Sequence, residues 1–132
     1  MSTLTVPAPL VVQIARTPPR ILSSNNGSHR RTKEPYVAEM RKEGATAAQN
    51  VLVGQTWAWA GPIRLLIHIA WDHGKRLDYQ NAVTLTKSVV DGVFDKLDAD
   101  DRQVEIIHLT QSAGNKTPSM IIQVEAMERR SA

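Results

Sequence analysis

The segment that most constrains the fold is residues 62–72, where apolar and other side chains alternate. The apolar positions are Ile63, Leu65, Ile67, Ile69 and Trp71. The positions between them include an arginine and a histidine. A period of two places every second side chain on the same face of a strand. The segment therefore predicts a β-strand with one strongly apolar face, which needs a second layer of structure to cover it.

Helices are predicted on either side of this strand. Residues 32–50 favour a helix, because Thr32 is a capping residue and Pro35 suits a first helical turn. Residues 79–97 favour a second helix, with an apolar stripe that ends before an aspartate-rich loop. These two helices are expected to supply the covering layer.

Three main strands complete the predicted domain. They are expected at residues 10–14, 104–110 and 120–127, with a short extra strand near residues 51–56. The last two are predicted to form a hairpin through the turn-rich residues 111–119. The order β-α-β-α-β-β predicts an α+β fold, which is a two-layer domain with a mixed β-sheet and two main helices.

Length and composition limit the class of protein. With 132 residues, of which 42% are apolar and 22% charged, the chain fits a single domain. We expect that domain at residues 10–128, between a flexible N-terminus (1–9) and a tail (129–132). No apolar run approaches the roughly 18 residues of a membrane span, so no membrane is expected. The chain has no cysteine and no basic residue before Arg16, which favours a reducing cytoplasm over a secreted protein.

The net charge of +3 conceals a separation of charge along the chain. Residues 16–42 hold seven arginines and lysines against two glutamates, while residues 91–105 hold six acidic residues against two basic ones. A basic segment suits contact with nucleic-acid phosphates, and it equally suits a solvated helix face. An acidic cluster can hold Mg²⁺ through oxygen ligands, although it more often forms a solvated loop at a helix end.

The sequence contains none of three common catalytic or nucleotide-binding motifs, namely the P-loop, G-x-S-x-G and G-x-G-x-x-G. Asp78 precedes the second predicted helix and Asp100 and Asp101 follow it, so the helix would hold them about 27 Å apart. A metal site built from all three needs a shorter helix, loops that fold back, or a second subunit. Trp57 and Trp59, at alternate positions, suit core or dimer packing more than base stacking.

Three blocks of sequence occur in an order and spacing shared with one family. The first covers residues 18–26 and 29–33, a proline-led polar loop followed by basic residues. The second is R-L-D-Y-Q-N at residues 76–81 with K-S-V-V-D-G-V at residues 87–93, and the third is D-D-R-Q-V at residues 100–104. In these blocks the chain resembles the RusA-type Holliday junction resolvases, small endonucleases common in phages and prophages.

The resemblance implies a Mg²⁺-dependent endodeoxyribonuclease that resolves four-way (Holliday) junctions by paired symmetric nicks in DNA recombination and repair. It also implies a homodimer in the cytoplasm of a bacterial host, encoded by a phage or prophage. The implied catalytic residues are Asp78, Asp101 and Lys87. The implied Mg²⁺ ligands are Asp78, Asp101, Asp100 and Gln80. The implied DNA-binding residues are Arg20, Asn25, Asn26, His29, Arg30, Arg31, Lys33, Lys75 and Arg76.

Two positions depart from the family pattern. Gln80 stands where the family has an aspartate, so one negative charge is missing from the implied metal site. In the family's shorter spacing the lysine would fall at Thr84. Lys87 lies one helical turn beyond it and fits a longer-spaced version directly. Two alternatives therefore stay open, namely a junction-binding protein with weakened or lost cleavage and a small non-enzymatic interaction domain.

Overall fold

The computed structural model describes residues 5–22 and 30–128. The strands are β1 (Leu10–Ile14), β2 (Ile63–Ala70), β3 (Val104–Ser112) and β4 (Ser119–Ala126), and the helices are α1 (Arg30–Leu52) and α2 (Tyr79–Phe94). Single-turn 3-10 helices, Arg20–Leu22 and Asp101–Gln103, precede α1 and β3. Residues 1–4 of the expected N-terminus and the expected tail 129–132 lie outside the described residues. In the parts of the chain that are described, no helix is long and apolar enough to cross a membrane.

The sheet has the order β1-β4-β2-β3, with β2 and β3 parallel and the other pairs antiparallel. This confirms the predicted α+β domain with a mixed sheet and two main helices. The predicted hairpin is wrong, because β2 separates β3 from β4. Burial explains the difference, since Met120, Ile122 and Val124 of β4 have no exposed surface, as a central strand requires. Every residue of β3 keeps some exposure, which suits a strand at the edge.

The helices cover one face of this sheet. The apolar set of β2 is at most 3% exposed, while Arg64 and His68 between them remain half-buried on the other face. The predicted alternation of β2 is therefore confirmed. Trp57 is also buried, and its indole N–H donates to the carbonyl of Ala8 at 2.8 Å, which confirms packing for this residue.

The predicted extra strand near residues 51–56 is wrong, because α1 continues to Leu52 and the chain then turns. Val53 and Gly54 both adopt positive φ, at 48° and 79°. The backbone N–H of Gln55 donates to the carbonyl of Leu52 at 2.9 Å, which ties this turn to the helix. The backbone groups that a strand would need are thus used in ending α1.

Two glycines let α1 and α2 cross closely. A Cβ on Gly44 of α1 would overlap the carbonyl oxygen of Val89, and a Cβ on Gly92 of α2 would overlap the carbonyl oxygen of Arg41. The backbone around Arg41 therefore lies directly against α2. This crossing brings α1 to the C-terminal half of α2.

Helix α2 connects two parallel strands, so it runs back along the sheet. Its N-terminus lies where β2 ends, and its C-terminus lies where β3 begins. Asp78 comes directly before α2, whereas Asp100 and Asp101 come directly before β3. Asp78 therefore lies at one end of the sheet, and Asp100 and Asp101 lie at the opposite end.

Candidate functional site

An open cavity of about 310 Å³ lies between α1, the C-terminal half of α2 and the turn that precedes β3. Four of its lining residues are aspartates and two are cations, and we call it the acidic cavity. Its lining residues are Arg41, Lys87, Asp91, Phe94, Asp95, Ala99, Asp100 and Asp101. The structure thus brings together three residues that the sequence predicted for the site, namely Lys87, Asp100 and Asp101.

Helix α2 supplies one side of the acidic cavity. Lys87 and Asp91 are one turn apart on α2, and the Lys87 ammonium lies 3.1 and 3.3 Å from the two oxygens of Asp91. An i,i+4 pair shares one helix face by the geometry of the helix alone. The lysine and the carboxylate are therefore presented to the cavity side by side.

The turn before β3 is built around Asp100 and Gln103. Asp100 Oδ1 accepts from the backbone N–H of Arg102 at 2.9 Å, and Gln103 Oε1 accepts from the backbone N–H of Asp100 at 2.6 Å. This reciprocal arrangement is a capping box. Gln103 Nε2 also donates to the carbonyls of Trp59 and Gly61, each at 2.8 Å. The glutamine in the D-D-R-Q-V block therefore fixes the backbone that carries the aspartate pair.

Asp100 and Asp101 are adjacent carboxyls, and a hydrogen bond that can form between them when one is protonated helps to move their pKa values in opposite directions. The Arg102 guanidinium and backbone N–H hold the pKa of Asp100 well below its usual range. The hydrogen bond to Asp100 raises the pKa of Asp101, as do partial burial and the charges of Asp91 and Asp100, while Lys87 opposes the rise. Excess negative charge is thus felt most strongly at Asp101.

Asp78 and Gln80 lie apart from the acidic cavity. Asp78 is the N-cap of α2, where Oδ1 accepts from the Asn81 backbone N–H at 2.9 Å and Oδ2 accepts from the Asn81 side chain at 2.8 Å. Lys87 and Asp91 follow Asp78 by about 14 and 20 Å along the helix axis, at 1.5 Å per residue. Within one chain the structure therefore does not place Asp78 and Gln80 beside Asp101.

The loop before Asp78 is held by Gln111 of β3. Gln111 Nε2 donates to the carbonyl of Leu77 at 2.7 Å, and its Oε1 accepts from the Leu77 backbone N–H and the Trp71 indole, both at 3.0 Å. Arg20 stacks on the Trp71 ring, 4.0 Å from its centroid, and donates to the carbonyl of Lys75 at 2.8 Å. Arg20, one of the predicted DNA contacts, therefore has a structural role in this loop.

The other predicted DNA-binding residues have varied positions. Lys75 and Arg76 are exposed in the loop before α2, and Lys33 is half-buried in the first turns of α1. Arg30 and Arg31 begin α1, but their side chains lie outside the described part of the structure. Asn25, Asn26 and His29 also lie outside it. DNA binding by these residues stays a prediction.

Sequence reasoning missed three charged residues of the acidic cavity, namely Arg41, Asp91 and Asp95. The guanidinium of Arg41 reaches across from α1 and donates from Nε and Nη2 to the two oxygens of Asp95, each at 2.7 Å. Fifty-four positions separate them in the sequence. Their pairing depends on the crossing of α1 and α2, for which no local spacing gives a signal. Asp91, by contrast, could have been found from its i,i+4 spacing to Lys87.

The acidic cavity offers fewer metal ligands than the resemblance implies. Among residues 5–22 and 30–128, no three histidine or acidic side chains are grouped so that they could hold a metal ion. Mg²⁺ commonly takes only one or two carboxylates and keeps several water ligands. The hydrogen bond to Asp100, partial burial and the neighbouring carboxylates raise the pKa of Asp101, so the local charge would favour a cation there. Asp101 with Asp91 or Asp100 fits such a sparse site, whereas the predicted set that includes Asp78 and Gln80 does not fit within one chain.

Comparison with known proteins does not assign the chain to a family. The sequence matches no protein-family model, and no curated protein is significantly similar to it. The family resemblance therefore stays a prediction that depends on the three sequence blocks.

Proposed function

We propose that this protein is a Mg²⁺-dependent, structure-specific endodeoxyribonuclease that cuts four-way DNA junctions, similar to the RusA-type resolvases. The observation that carries the proposal is the acidic cavity. It joins Lys87 and Asp91 of the second sequence block to Asp100 and Asp101 of the third, although the two pairs are at least nine positions apart in the sequence. Residues brought together from two blocks of one family pattern support a shared chemical role.

The side chains of the cavity suit hydrolysis of a phosphodiester. When bound, Mg²⁺ activates water and neutralises charge that develops on the leaving oxygen. Asp101 would hold the ion with Asp91 or Asp100. Lys87 would contact a phosphate oxygen. Gln103 would keep Asp100 and Asp101 in place through its bonds to Asp100, Trp59 and Gly61.

A homodimer would match the substrate. A four-way junction has two-fold symmetry, and a two-fold dimer offers two equivalent cavities for paired nicks. The proposed DNA-contacting surface is the basic early segment, doubled across the dimer. A dimer would also allow Asp78 of one subunit to complete the cavity of the other. Mixing inactive Asp78→Asn and Asp101→Asn proteins tests this, since shared sites would regain part of the activity.

A second candidate is a junction-binding protein without cleavage. Asp78 and Gln80 of the second sequence block favour it. Both oxygens of Asp78 accept hydrogen bonds from Asn81, and Gln80 carries no charge. In this case the cavity would stabilise the turn before β3, and DNA binding would need no divalent ion.

The test uses the purified protein with a labelled four-way junction and with a linear duplex of the same sequence, each with and without Mg²⁺. Symmetric nicks in the junction alone, only with Mg²⁺ and lost in Asp101→Asn, are the expected result. A retarded junction complex without nicks would support the second candidate. No complex even at low salt would refute both.

A further inference from the structure

Arg41 of α1 lines the acidic cavity, whose other charged residues come from α2 and the chain that follows it. Its guanidinium forms two parallel hydrogen bonds with Asp95, with both distances 2.7 Å. The charges of Asp91 and Asp101 also act on it and, with Asp95, raise its pKa. Arg41 is thus the cation from α1 that faces the aspartates of α2 and of the turn before β3.

The backbone of Arg41 packs closely against α2. Its backbone carbonyl lies where a Cβ of residue 92 would be, so only glycine at that position allows this approach. The side chain therefore extends from a backbone that packs against α2. The guanidinium that it carries is one of the two cations that line the acidic cavity.

The partner that Arg41 now holds resembles a phosphate in its geometry. A guanidinium binds carboxylate and phosphate through the same pair of parallel N–H groups. The Arg41 side chain is 55% exposed and that of Asp95 is 40% exposed, so a ligand can reach both. Because both side chains are exposed to solvent, water screens their attraction and a phosphate can replace Asp95 on the guanidinium.

We propose that Arg41 is a phosphate-binding residue of the acidic cavity, which exchanges Asp95 for a backbone phosphate of DNA. This inference rests on the function proposed above. The many carboxylates of the cavity repel a phosphate, so the contact forms when a divalent cation has neutralised part of their charge. Arg41 therefore contributes to DNA affinity in the presence of Mg²⁺.

The test compares three variants in DNA binding and cleavage. Arg41→Gln removes the cation. Lys42→Ala removes the charge of the next residue in the same exposed helix segment. Asp95→Asn breaks the same ion pair while it leaves Arg41 in place. Affinity for the junction is measured across a range of salt concentrations in Ca²⁺, which takes the same carboxylate oxygens and replaces Mg²⁺ to prevent cutting, so that Asp101 stays in place in every protein.

Arg41→Gln should weaken binding about tenfold or more and lower the slope of log affinity against log salt by about 1. Lys42→Ala should have a smaller effect on affinity. Asp95→Asn should keep or improve affinity, because it frees the guanidinium. If Arg41→Gln and Asp95→Asn weaken binding equally, the pair is only structural and the inference is wrong. If the unchanged protein cuts junctions but Arg41→Gln changes affinity no more than Lys42→Ala does, this inference alone fails. If the unchanged protein does not bind DNA, both proposals are refuted.

Discussion

Gly92 of α2 lies against the backbone of Arg41 of α1 so closely that a Cβ on residue 92 would overlap the Arg41 carbonyl oxygen. It would also come within 2.9 Å of the backbone nitrogen of Ala45. Both obstacles are backbone atoms, so they cannot move aside without a shift of the whole helix. The distance between the two helices, and with it the position of Arg41 above the acidic cavity, depends on this glycine.

Gly92→Ala should therefore destabilise the protein, although alanine normally favours a helix over glycine by about 1 kcal/mol. We expect a loss of about 1–3 kcal/mol from overpacking, measured by urea unfolding. Gly114→Ala is the control, since its φ of 74° is unfavourable for alanine but no atom lies within 4 Å of the added Cβ. A Gly92→Ala protein as stable as the parent would contradict the close crossing.

Replacement of Gln103 should loosen the turn that carries Asp100 and Asp101. Gln103→Glu keeps an acceptor for the Asp100 backbone N–H and loses the donor to Trp59 and Gly61, whereas Gln103→Leu loses all three bonds. Each unmet buried polar group costs about 1–3 kcal/mol. The glutamate variant also sets a carboxylate oxygen against the carbonyl oxygens of Trp59 and Gly61, so at pH 7 it should be the less stable of the two in urea. A leucine variant less stable than the glutamate variant would show that the bond to Asp100 outweighs the two donated bonds. In the functional assay, both should cut junctions more slowly than the parent.

Asp101→Asn should raise the melting temperature near neutral pH. The folded protein raises the pKa of Asp101, so stability is highest when this carboxyl is neutral. That contribution is complete below the usual aspartate pKa near 4 and is lost as the pH rises through the raised pKa. The variant should thus melt at a higher temperature than the parent at pH 7 and converge with it at about pH 3, because asparagine does not ionise. A difference in melting temperature between the two proteins that does not change with pH would contradict the raised pKa of Asp101.

If Asp101 is a Mg²⁺ ligand, added Mg²⁺ should make the parent protein melt at a higher temperature than Asp101→Asn. Binding to the folded state alone raises the melting temperature of the parent, whereas Asp101→Asn should respond weakly. Asp98→Asn, which removes an equal charge from the same acidic loop, is the matched control and should respond like the parent. Equal responses of all three proteins would exclude Asp101 from a Mg²⁺ site without reference to any cleavage assay.

Val53→Gly should stabilise the protein. Val53 ends α1 with a φ of 48°, a conformation that costs a residue with a Cβ about 1–2 kcal/mol, and its side chain is 79% exposed. Glycine removes this strain and sacrifices little packing, so the melting temperature should rise. Val51→Gly, at an exposed position inside α1, should lower it by contrast. The same sign for both variants would contradict the assignment of strain to residue 53.

Local patterns predicted what depends on local geometry. The alternation of β2 and the main helices follow from spacing along the chain, and Lys87 and Asp91 meet because they are one turn apart. The sequence also indicated that Asp78 would lie far from Asp101, because the rise of a helix is fixed. The insertion of β4 between β1 and β2 and the pairing of Arg41 with Asp95 could not be predicted, because they depend on which distant surfaces pack together.

The place of β4 in the sheet has a consequence for how the chain is made. Leu10 pairs with Val124, so β1 contributes its hydrogen bonds only after nearly the whole intervening chain has been synthesised. Closing so long a loop is entropically costly, and contacts of this separation are associated with slow folding. On the ribosome, the backbone groups of β1 therefore have no strand to pair with until β4 emerges. A chaperone that shields residues 10–14 during translation should increase the yield of folded protein.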